Sequence, residues 1–107
     1  MTSVTLFLIR LGDNVRGKGF GTKAVQWIVE HIFSLPDKKI RIEAYTRSDN
    51  LAMRKTLANC GFVKEGYLRS AWENNDGSVS DSMCYAMIRS DWENQLVTPI
   101  KLHDLPF

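Results

Sequence analysis

Between residues 16 and 22 the chain reads Arg16-Gly17-Lys18-Gly19-Phe20-Gly21-Thr22. Alternating glycines beside two cations are residue types that can cradle a phosphate. Glycine lets the backbone approach a ligand and take φ > 0 without a Cβ clash. An apolar run ends before this stretch and a helical pattern begins within it. The free amides of the helix's first turn therefore point at one spot, and the helix dipole adds positive potential there. Arg16 and Lys18 add charge at the rim. The plain alternative is a glycine-rich turn entering a helix, with its cations merely solvated.

Two well-known phosphate motifs nearly fit and fail. Gly12 to Lys18 reads G-x-x-x-x-G-K, but Gly19 follows where a hydroxyl must hold magnesium. A nucleotide-phosphate binder is thus the weaker reading. The spacing Gly17-x-Gly19-x-Gly21 also departs from the dinucleotide pattern G-x-G-x-x-G. The pattern that does fit is R-x-x-G-x-G, from Arg16 through Gly19 to Gly21.

The elements that must position this loop follow from periodicity. Residues 3–10 read as a strand, and Leu6-Phe7-Leu8-Ile9 is apolar on both faces, as in a strand buried on both sides. A helix is predicted over about 22–34, where Ala24, Val25, Ile28, Val29 and Ile32 form one stripe. Pro36-Asp37 ends it. In a second strand, about 39–46, Ile40, Ile42 and Ala44 alternate with Arg41, Glu43 and Tyr45. Strand, helix and strand in this order make a right-handed βαβ unit with parallel strands. A second helix is expected over about 50–59, capped by Ser48 or Asp49. Met53 and Leu57 face the core, and Gly61 supplies the left-handed stop. Strands over about 62–71 and 79–89 flank Asn74-Asn75-Asp76-Gly77, a hairpin turn. Met83, Tyr85 and Met87 share one face of the returning strand. Asp91 to Phe107 shows little periodicity, with Trp92 folding back on the body. The fold class is α/β (α+β by some schemes), order β-α-β-α-β-β, with a mixed sheet.

Composition narrows the function. A chain of 107 residues with 44% hydrophobic and 24% charged residues makes one soluble globular core. The net charge of +2 is interspersed, without the basic face that nucleic acid requires. No window approaches the roughly 18 apolar residues of a membrane span. The N-terminus lacks signal-peptide order. Cys60 and Cys84 lack metal-ligand spacing and read as reduced core residues of a cytoplasmic protein, with a disulfide between them as the weaker alternative.

A second set of residues lies at the right distance from the loop. Asn50, then Gly61-Phe62, then Glu65-Gly66-Tyr67-x-Arg69, together with R-x-x-G-x-G, resembles the GNAT N-acetyltransferase family. The match is closest to its RimJ/RimL-like and polyamine acetyltransferase branch. Asp81, Tyr85-Ala86 and Asp91-Trp92 resemble that branch's closing hairpin. The resemblance covers residues 3–92 and implies a GNAT-like acyl-CoA N-acyltransferase fold lacking the N-terminal half of the domain. Residues 1–92 would be the acetyl-CoA-binding domain and 93–107 a C-terminal tail.

The resemblance also implies roles. Main-chain groups of Ile9, Arg10 and Leu11 would hydrogen-bond the pantetheine arm of acetyl-CoA. Arg16, Gly17, Lys18, Gly19, Phe20, Gly21 and Thr22 would wrap its pyrophosphate. Asn50 would hydrogen-bond the pantetheine or thioester region, and Arg54 would reach the cofactor's outer portion. A helix cap is the alternative role for Asn50, and a solvated charge for Arg54. The family's usual acids are absent: Leu57 stands at the tyrosine position and Met53 at the serine position. The catalytic residues are therefore unknown. Glu43 is the best remaining base, unless it merely pairs with Arg41 or Lys39; Tyr67, Asp81 and Tyr85 are weaker candidates.

Two functions follow from the resemblance. One is acetyl transfer to an amine acceptor. The other is an inactive module that binds acyl-CoA or acts through oligomerisation. Without a first half, strand 3–10 would present an open apolar edge, so a homodimer through that strand is expected.

Overall fold

Alternation over seven residues of the central strand decides how this molecule is layered. Ile42, Ala44 and Thr46 are buried, while Arg41, Glu43 and Tyr45 between them are half-buried. One sheet face is thus apolar and the other polar. The computed structural model describes residues 3–7 and 20–107. Its elements are β1 (Ser3–Phe7), α1 (Phe20–Phe33), β2 (Arg41–Arg47), α2 (Leu51–Asn59), β3 (Val63–Glu73), β4 (Val79–Ile88) and α3 (Arg89–Asn94). A 3₁₀ turn follows at Leu102–Asp104.

The strand order is β1-β2-β4-β3. β1 runs parallel to β2, and β4 pairs antiparallel with both β2 and β3. This is the mixed sheet expected from the order of elements. On its apolar face, Ile42 and Ala44 join Met83, Tyr85 and Met87 of β4 in a single core. Val25, Val29, Ile32 and Phe33 of α1 close this core together with Met53 and Leu57 of α2. Both helices therefore cover the same side of the sheet.

Local signals set most of the joints. Gly61 takes φ +90° directly after α2 and Gly77 takes φ +87° in the hairpin, the left-handed positions their places imply. The hairpin closes where the Asn74 N–H donates to the Ser78 carbonyl. Along β3 the register shifts twice, between Lys64 and Gly66 and between Leu68 and Trp72. In the second irregularity Ser70 takes φ +54° and its N–H donates to Asp81 Oδ1 at 2.7 Å.

Several expectations need correction. α1 begins at Phe20, two residues before its expected start, so Phe20 and Gly21 belong to its first turn. Asn50, not Ser48 or Asp49, caps α2, because its own side chain accepts from Met53 N. Residues 89–94 form α3 where the end of a strand and an aperiodic stretch were expected. The cause is Arg89. Its guanidinium sits 5.1 Å from the Phe33 ring and 5.7 Å from the Trp92 ring. It also donates to the Phe33 and Lys39 carbonyls, which turns the chain back onto the end of α1. Buried Asp91 then holds the following segment by accepting from the Thr98 N–H and hydroxyl. Residues 8–10 of the expected first strand lie outside the described residues.

Leu57 is fully buried between α2 and the sheet. Leu57→Ala is expected to destabilise the fold by about 2–5 kcal/mol. Urea unfolding checks this as a lower midpoint with an unchanged slope.

Candidate functional site

The first turn of α1 carries the described part of the glycine motif. It holds no acidic side chain, so nothing there offsets the positive end of the helix dipole. The turn is laid against α2. A Cβ built on Gly21 would sit 3.7 Å from Thr56 Oγ1, and the Cys60 thiol donates to the Thr22 carbonyl at 3.6 Å. Phe20, Gly21 and Thr22 are thus placed at one helix start. Ile9, Arg10, Leu11, Arg16, Gly17, Lys18 and Gly19 lie outside the described residues.

The start of α2 is built by a tight turn at the end of β2. Asn50 N–H donates to the Arg47 carbonyl, and Asn50 Oδ1 accepts from Met53 N at 3.2 Å. The cap uses the side-chain oxygen and leaves the amide nitrogen without a protein acceptor among the described residues. The first turn of α2 likewise has no acidic residue.

Arg54 is neither a solvated charge nor a free arm. Its Nε donates to Tyr85 Oη at 3.0 Å and its Nη1 to the Ser48 carbonyl at 2.8 Å. It thereby ties the β2–α2 turn to β4. Tyr67 stands beside Arg54 and Ser48, and its phenol donates to Asp81. That bond raises the Tyr67 phenol above its ordinary value and holds the Asp81 carboxyl below the usual carboxylate range.

Glu43 lies on the opposite, polar face. Arg41 Nε donates to it at 2.8 Å, and the same guanidinium grips Glu65 with bonds of 2.6 and 3.2 Å. These carboxylates, Glu65 first, hold Arg41 well above its ordinary value. The expected pairing of Glu43 with Arg41 is therefore present, while Lys39 pairs with Asp37 at 3.0 Å. Nearby, Tyr45 lies against the Cys84 thiol. That hydrogen bond, then burial, pushes Tyr45 up to about 12. Burial also raises Cys84 and Cys60, and both cysteines are free thiols.

Thr46 escaped the reading of residues as chemistry. It is completely buried, and its hydroxyl has no hydrogen-bond partner among the described residues. The signal was present: the period-two pattern of β2 puts a polar residue on the apolar face. No cluster among the described residues has the composition of a metal site.

The elements from β1 to β4 run in the order β-α-β-α-β-β, and α1 opens on the described end of the glycine motif. The sequence model of the family described as "Acetyltransferase (GNAT) domain" matches residues 7–63, and the chain belongs to that family. A curated relative, the uncharacterized N-acetyltransferase p20 of Bacillus licheniformis, is 33% identical over 82 residues. That match covers 77% of this chain and 45% of the relative. The ribosomal-protein-S5-alanine acetyltransferase of Vibrio fischeri is 31% identical with a TM-score of 0.65, over 75% of this chain and 43% of that one. The microcin C7 self-immunity acetyltransferase MccE, solved with acetyl-CoA and AMP, is 29% identical with a TM-score of 0.60, over 73% and 42%. The chain thus spans about half the length of the curated relative it matches.

Absorbance titration of the tyrosines is expected to show one midpoint near 12, moving back toward 10 in Cys84→Ala. Because the folded-state value is raised, the protonated Tyr45 phenol favours the fold. That contribution is complete below pH 10 and is lost as pH rises to about 12. Thermal stability should fall across this window, less steeply in Tyr45→Phe.

Proposed function

We propose that this chain is an acetyl-CoA-dependent N-acetyltransferase domain that passes an acetyl group to an amine acceptor in the cytoplasm. The observation that carries the reading is the start of α1. A glycine motif leads into a first turn free of acidic residues, and helix starts of this kind bind diphosphates. Family membership and the acetyl-CoA complex of MccE support the same ligand. In this reading Arg16 to Thr22 bind the diphosphate, and main-chain groups of Ile9, Arg10 and Leu11 hold the pantetheine arm. Asn50, whose Oδ1 caps α2, presents its amide nitrogen to the thioester region. Arg54, bonded to Tyr85 and Ser48, reaches the cofactor's outer portion from this end of the site.

The chemistry is direct transfer. The neutral amine attacks the thioester carbonyl, the carbon–sulfur bond breaks, and thiolate leaves. A base takes the amine's proton and an acid protonates the sulfur.

The second reading is an acyl-CoA-binding module without turnover, and a specific arrangement favours it. Leu57 and Met53 fill the core where the resembling branch places its acids, and Glu43 is ion-paired on the other sheet face. A homodimer through the first strand accompanies either reading, since β1 pairs on one side only among the described residues.

Calorimetry with coenzyme A against ATP is the first test, with coenzyme A expected to bind and ATP to bind more weakly. Gly19→Leu should abolish coenzyme A binding while leaving the circular dichroism spectrum intact. A thiol-release assay over an amine panel then separates the readings, because binding without release selects the module. For assembly, light scattering after size exclusion should report twice the chain mass at micromolar concentration; a stable monomer contradicts the dimer.

A further inference from the structure

Thr46 is the one side chain among the described residues whose buried polar atom lacks a partner. Its relative exposure is 0%. A buried hydroxyl in this state loses its water hydrogen bonds and receives nothing in return, so it calls for an explanation. Valine has the same shape without that cost, and its β-branched chain suits a strand equally well.

The position of this hydroxyl is informative. Thr46 lies next to the carboxyl end of β2, on the face of Ile42 and Ala44, and pairs with Met83 across β4. It follows the last described pair between the parallel strands, Phe7 with Tyr45. The chain then turns within three residues through the Ser48 N–H to Asp81 carbonyl bond and the Asn50 N–H to Arg47 carbonyl bond. This brings the first turn of α2, with no acidic residue, over the same end of the sheet. Ligands in sheets with parallel strands bind outside the strands' carboxyl ends. The orphan hydroxyl at this end of the sheet can donate to an oxygen acceptor there.

We infer that Thr46 Oγ1 donates a hydrogen bond to the carbonyl oxygen of the transferring acetyl group. This rests on the acetyl-CoA reading above and specifies what holds the acyl end. When the amine attacks, that oxygen gains negative charge and the bond strengthens, so the hydroxyl both orients the thioester and stabilises the tetrahedral intermediate. Coenzyme A, which lacks the acetyl carbonyl, makes no such bond.

The test compares acetyl-CoA with coenzyme A by calorimetry on the wild type, Thr46→Val and Thr46→Ser. Thr46→Val should weaken acetyl-CoA binding roughly fivefold, the scale of one hydrogen bond, and leave coenzyme A within about twofold. Thr46→Ser should restore the wild-type preference. The melting temperature of unliganded Thr46→Val should equal or exceed that of the wild type, because an unpaired polar atom has been removed. Equal weakening of both ligands, or of neither, overturns the inference while leaving the acetyl-CoA reading in place. A higher melting temperature with an unchanged ligand ratio also overturns it. A wild type that binds neither ligand overturns the acetyl-CoA reading and this inference together.

Discussion

One apolar seam holds this molecule together: Ile42 and Ala44 of the central strand, beside Met83, Tyr85 and Met87, buried under two helices on a single face. The burial of large apolar side chains, at about 1.5–3 kcal/mol each, dominates any polar term in the structure. The seam also fixes geometry. It holds α1 and α2 side by side on one face of the sheet. Thr46 belongs to the same row, so packing and chemistry share one strand at adjacent positions of like parity.

The opposite face solves a different problem. It has no helix over it among the described residues, yet Ala86 and Cys84 in its middle are buried. Arg41 reaches from β2 across the strand carrying Ala86 to grip Glu65 on β3 while also holding Glu43. Ala86 is small enough to let the guanidinium pass over it. Such half-exposed pairs contribute little to stability individually. Their effect is to roof the middle strand with the aliphatic stems of long side chains. Glu43 is committed to this lattice, which bears directly on its candidacy as a base.

Much of the architecture was legible before any coordinates. Period-two alternation in β2, the helical stripe of α1, Gly61 after α2 and Asp76-Gly77 in the hairpin each act through local sterics, so sequence alone exposes them. What escaped reading depends on distant partners. Arg89 looks like a strand residue until Phe33 and Trp92 are found on either side of it. Arg54 looks like a surface charge until Tyr85, far along the chain, receives it. Ser48, Asp49 and Asn50 are all good caps by type, and only the turn geometry selects the last. The glycine motif was the plainest signal, and three of its residues, Phe20, Gly21 and Thr22, fall at the described start of α1.

The two register breaks in β3 carry a consequence for the molecule's behaviour in a crowded solution. A strand on the rim of a sheet offers a row of donors and acceptors to any passing chain. Here the row is interrupted at Gly66 and again around Ser70, where a left-handed residue tilts its N–H inward to Asp81. With Lys64, Glu65 and Arg69 along the same stretch, that rim gives no continuous template for self-propagating stacking. Fibril growth from this side of the molecule is disfavoured by its backbone shape, independently of how stable the fold is.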